Sequence, residues 1–149
     1  MAEGDIEPEL SDAQQEALRA LRFRYTGFPN DAVLVVNTCD ASEENFRTKT
    51  FRTDELSRIA RQYGGAQYHV WTRISAVHPN ATLANGSRGT EADTYGTCLL
   101  HVDLDPDGSE DWRERTLREL ERFQPSPSGI EDSGRGYYAF WRIGWTEDW

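Results

Sequence analysis

An α/β (α+β) fold, a mixed sheet with flanking helices, is predicted by three observations. Short β-branched runs alternate with segments of helical period. Glycine, proline and asparagine clusters punctuate the boundaries between them. The chain of 149 residues is long enough for one core and too short for two. Residues 1–149 are therefore read as a single domain, with residues 1–9 an acidic, disordered leader. Ser11 followed by Gln14 predicts a capping box, and Leu10, Ala13, Ala17, Leu18 and Leu21 continue one helical face. "AVLVV" at 32–36 is a short buried strand by length and β-branching. Thr53 or Asp54 is expected to cap a helix carrying Leu56, Ile59 and Ala60, which Gly64 and Gly65 end.

"QYHVWTRI" at 67–74 is the second strand, and 75–93 a loop marked by glycine, asparagine and proline. "TCLLHVDLD" at 97–105 is the third strand. The helix at 109–123 is amphipathic, with Trp112, Leu117, Leu120 and Phe123 inward. A strand from about Ile130 to Ser133 and the run "YYAFWRI" at 137–143 complete the pattern. No repeat or low-complexity segment interrupts it.

The net charge of −10 argues against a broadly basic nucleic-acid clamp, though a local basic track is compatible with it. Of 16 basic residues only Lys49 is a lysine, so phosphate contacts would fall mostly to arginine forks. Cys39 and Cys98 lie far apart with no C-x-x-C, which indicates neither a zinc site nor a disulfide framework. No apolar run reaches membrane-spanning length and no signal-peptide core is present, so the expectation is a cytoplasmic protein without membrane contact.

Chemistry concentrates where the third strand ends. Asp103, Asp105, Asp107, Gly108 and Glu114 match a calcium loop as a bare pattern. Three features argue against that reading: the preceding "YGTCLLHV" is a strand rather than a helix, Glu110 replaces the usual aliphatic residue, and no second loop exists to pair with. On a strand, His101, Asp103 and Asp105 share a face at the C-terminal end, where α/β sheets place ligands. Two such carboxylates can hold Mg²⁺ or Mn²⁺ with substrate phosphates completing the shell, or can merely favour the next helix's positive end. Downstream, Ser133-Gly134-Arg135-Gly136 is a tight turn whose N–H groups and arginine suit an anion, and equally an ordinary hairpin turn. Upstream, Arg88 is another glycine-flanked arginine.

Three motifs in order extend the reading. Gly89, Thr90, Ala92 and Asp93 form G-T-x-A-D before a strand ending in D-x-D; Pro127, Ser128, Ile130, Ser133, Gly134, Gly136 and Trp141 then follow after one helix. In this order and spacing, residues 67–145 resemble the primase–polymerase domain of the archaeo-eukaryotic primase superfamily, found in phage, plasmid and other mobile-element replication proteins. The resemblance implies an RRM-like catalytic unit and template-directed nucleotidyl transfer in DNA replication. It implies two Mg²⁺ or Mn²⁺ ions on Asp103 and Asp105, with Ser133, Arg135, Tyr138, His101 and Arg88 about the nucleotide. Nucleoside triphosphates, a single-stranded DNA template and a replicative helicase domain or subunit are the implied partners.

Two departures qualify the match. Tyr138 stands where the family has a triphosphate-binding histidine, and a phenol carries no positive charge near neutral pH. The family's third acidic motif has no convincing counterpart, which suggests an N-terminal portion of a longer primase/polymerase. The alternatives are a catalytically impaired nucleotide- or DNA-binding module of the same fold and, more remotely, a calcium-binding loop protein. A haloacid dehalogenase-type phosphatase also begins with D-x-D, but needs motifs for which too little chain follows Asp105.

Overall fold

The computed structural model describes residues 8–148, so most of the leader expected over 1–9 lies outside the described residues. The architecture is α+β, with three α-helices and seven strands among the described residues. The backbone falls into two compact units that meet in sequence between Tyr95 and Gly96.

The first unit contains α1 (Asp12–Tyr25), β1 (Val33–Cys39), β2 (Arg47–Arg52), α2 (Leu56–Tyr63), β3 (His69–Thr72) and β4 (Ala76–Val77). The capping box forms: Ser11 Oγ accepts from the Gln14 N–H at 3.3 Å, and Gln14 Oε1 accepts from the Ser11 N–H at 2.9 Å. Leu18, Leu21 and Tyr25 carry the buried stripe of α1. β1 runs to Cys39, three residues past the predicted strand, because Asn37 and Thr38 still pair on both edges and Cys39 pairs with His69 on one. One edge takes β2, which the polar run "RTKTFR" had concealed from hydropathy. The other takes β3 and β4 in succession, split at residues 73–75.

Neither Thr53 nor Asp54 caps α2. A 3₁₀ turn spans Thr53–Glu55 instead, and the Glu55 carboxylate accepts from the Arg52 N–H at 2.8 Å. The helix stops at Tyr63 as predicted, with Gly64 its extended C-cap; only glycine fits there, since a Cβ would stand 2.6 Å from the Ala60 carbonyl oxygen and 2.7 Å from Gln14 Cα.

The second unit contains β5 (Thr94–Leu104, whose first two residues belong to the first unit), α3 (Trp112–Arg122), β6 (Gly129–Asp132) and β7 (Tyr137–Thr146). β7 is central, paired with β5 and β6. On α3, Trp112, Thr116 and Leu120 are buried, while Leu117 is half-buried and Phe123 is 52% exposed. Phe123 is no inward helical residue: it is the extended C-cap, with its ring edge-on to Trp141 at 5.5 Å.

Within each unit every described pairing is antiparallel, which corrects the expected mixed sheet. The reason is a strand placed between the two ends of each helical crossover. β2–α2–β3 straddles β1, and β5–α3–β6 straddles β7, so each is a split β-α-β arrangement. Among the described residues no helix is long and apolar enough to cross a membrane.

Candidate functional site

The end of β5 and the turn into β7 are built against each other. Gly136 makes this possible: a Cβ there would collide with the Leu104 carbonyl oxygen and lie 3.6 Å from Asp105 Cα. The S-G-R-G turn is therefore seated on the backbone of the D-x-D segment. Gly134 supplies the left-handed step at φ +85° that a side chain rarely adopts.

Register decides which side chains share a face. Asp103 is opposite Tyr138, which is opposite Glu131; one row along, His101 is opposite Phe140. Directly opposed residues project to the same side. Asp103, Tyr138 and Glu131 thus form a carboxylate–phenol–carboxylate row across three strands, and the His101 ring lies over buried Phe140 at 6.4 Å. Asp105 is one residue past the strand.

Partners separate the acids of this region into two groups. Asp107 accepts from the Ser109 N–H and hydroxyl at 2.9 and 2.6 Å and pairs with Arg115. Its carboxyl is held below the usual range by the Ser109 bonds first and by Arg115 after them. Asp111 pairs with Arg115 at 3.0 Å and Glu114 with Arg118 at 2.5 Å. The carboxylates of Asp103 and Asp105, both exposed residues, have no hydrogen bond or ion pair among the described residues. A calcium loop would need Asp107 and Glu114 for the ion, and here both serve arginines of α3, while strand β5 occupies the place of an entering helix.

Of the turn residues, Ser133 is used internally: its Oγ accepts from the Gly136 N–H at 2.9 Å, and its N–H donates to the Gly136 carbonyl at 3.0 Å. Arg135 is exposed and has no partner among the described residues. Arg113 of α3, which no motif singled out, holds the turn. It donates to Asp132 at 2.7 Å, to the Gly134 carbonyl at 3.1 Å and to the Tyr137 hydroxyl at 3.2 Å, and lies over the Tyr137 ring. The Arg113 bond, then the Gly134 N–H, holds the Asp132 carboxyl below its ordinary range.

Arg88 belongs to the first unit, over the Trp71 ring at 5.6 Å. The G-T-x-A-D loop is closed on itself there, with Asp93 accepting from the Thr90 N–H and hydroxyl at 2.7 and 2.8 Å. Arg73 binds the loop through the Arg88 and Thr90 carbonyls, both at 3.2 Å.

Asp103, Asp105, Tyr138 and the turn with Arg135 are thus gathered on β5 and β7, while Ser133 is spent on the turn's own geometry. Glu131 is the acid that sequence reasoning passed over; strand alternation within "GIED" was its only signal. Among the described residues no three of His, Cys, Asp and Glu form a metal-holding group. Comparison with protein-family models, with curated proteins and with solved structures gives no match for this chain.

Proposed function

We propose that the second unit carries a metal-dependent nucleotidyl-transfer site of the primase–polymerase kind, acting on nucleoside triphosphates and a single-stranded DNA template. One observation carries the reading. Among the described residues the side chains of Asp103 and Asp105 lack partners beside a turn seated on their backbone, while Asp107, Asp111, Glu114 and Asp132 around them are paired. Uncommitted carboxylates at a strand end fit hard cations. Mg²⁺ keeps several waters and takes only one or two protein carboxylates beside substrate phosphates, so a third protein ligand is not required.

A bound ion would neutralise the triphosphate and polarise the attacking hydroxyl. The chain's own part is to orient. Asp103 and Asp105 place the cation, Arg135 offers a free fork to the phosphates, and the Tyr138 phenol donates one hydrogen bond from the same face as Asp103.

The test pairs calorimetry with nucleotide incorporation on a single-stranded template. Asp103→Asn with Asp105→Asn should weaken Mn²⁺ binding more than tenfold, about 1.4 kcal/mol, and abolish incorporation with the fold intact. Unchanged Mn²⁺ affinity sinks the site. Metal and nucleotide binding without incorporation by the unaltered protein selects the second reading, a nucleotide-binding module; the observation favouring that reading is Tyr138 in place of a cationic residue.

A further inference from the structure

The first unit has a cleft of its own, of about 640 Å³, lying beyond the last turn of α2. Gln62 and Tyr63 of the last turn of α2 line it together with Val36, Thr38, Arg47 and Lys49 of β1 and β2. Val36 is opposite Lys49 and Thr38 opposite Arg47, so the uncovered sheet face presents both cations. Two residues apart on one strand, they stand about 6.6 Å from each other along the backbone.

We propose that this cleft binds a phosphate-bearing ligand of the nucleotide class, as a free nucleotide or as a stretch of single-stranded nucleic acid, through Arg47 and Lys49. The inference does not rest on the metal site. Arg47 has no partner among the described residues, and Lys49 reaches only Gln62 Oε1, at 3.5 Å. Asp40 also lines the cleft and keeps its negative charge, but its oxygens are occupied by neighbouring donors. It accepts from the Ser42 N–H and hydroxyl at 3.2 and 2.8 Å, from the Glu44 N–H at 2.8 Å and from Asn45 Nδ2 at 2.7 Å. Arg47 and Lys49 outnumber Asp40, the one acid among the described lining residues, in a chain whose net charge is −10. Tyr68, 44% exposed, and Tyr63 also line the cleft beside the charges. Cations next to aromatic rings suit a phosphate joined to a base, since stacking tolerates any base and the charges hold the backbone. The volume lies within the range of small-ligand sites.

The experiment is fluorescence anisotropy with a labelled oligothymidylate, in EDTA to remove any metal contribution, with unlabelled dATP as competitor. Arg47→Gln with Lys49→Gln should weaken binding at least tenfold and lower the salt slope by about 1.4, two phosphates at about 0.7 each. Tyr68→Leu should weaken binding with the slope unchanged. Asp103→Asn with Asp105→Asn should bind like the unaltered protein, which separates this cleft from the metal site. Displacement by dATP identifies a mononucleotide site, and resistance to it identifies a strand track. The proposal is overturned if the Arg47/Lys49 variant, folded by circular dichroism, keeps both affinity and slope. It is overturned equally if the unaltered protein binds neither the oligothymidylate nor a fluorescently labelled dATP at about 50 mM salt.

Discussion

Tyr138 is the side chain on which the proposed chemistry turns. It lies between Asp103 and Glu131 in one row and is half-buried, with its ring 6.2 Å from Phe140. A phenol there can donate to a phosphate oxygen but cannot neutralise it. Tyr138→His should therefore tighten triphosphate binding below about pH 6.5, where an unperturbed imidazole gains its proton. Titrations at constant Mg²⁺ across that pH check this. Equal or weaker affinity in the variant throughout would mean that position 138 does not meet the phosphates. Glu131 on the far side of Tyr138 shows the limit of motif reading: its pairing partner, not its sequence neighbours, puts it in the row.

Helix α3 does more than cover the sheet. Trp112 stacks on Tyr137 at 5.6 Å, and Arg113 beside it fastens the S-G-R-G turn through Asp132. Asp132 has a folded-state pKa below its unfolded one. Its contribution is thus fully present above the unfolded value of about 3.9 and is lost as pH falls through the lower folded value. Asp132→Asn should lower Tm at neutral pH, with the difference shrinking as pH drops below about 4. A Tm difference independent of pH would assign the loss to packing rather than to the ion pair, since an amide oxygen can still accept from the Gly134 N–H. At the other end of the chain, Ser11→Ala removes an exposed capping box and should cost about 1 kcal/mol. Denaturant unfolding reads that loss as a lower midpoint with unchanged slope.

Charge acts on the chain as a sum. With 26 acidic against 16 basic residues, self-repulsion opposes the compact state. The ion pairs described are solvent-exposed, such as Arg19–Glu16, Arg52–Asp54 and Arg118–Glu114, and such pairs contribute little to stability. Screening should therefore relieve more repulsion than it removes attraction. Thermal unfolding is expected to shift upward by a few degrees between about 0.01 M and about 0.15 M salt, as the Debye length falls from about 30 to about 8 Å. A downward shift would show that the exposed pairs outweigh the excess of acid.

Local signals were sufficient for the elements whose causes are local. The Ser11 capping box, the stop at Gly64, the strand ending at the D-x-D and the break between α3 and β6 all follow from residues within a few positions of one another. β2 was illegible because its stability comes from pairing with β1 rather than from its own polar side chains. The α2 cap was misplaced because Glu55 answers the Arg52 N–H and starts a 3₁₀ turn. The candidate metal pair could be named from alternation along one strand. Its isolation from arginine, its Gly136-mediated seat against the turn, and the row through Tyr138 to Glu131 depend on which strands become neighbours. Pairing joins residues far apart in the chain, and only the folded backbone decides that choice.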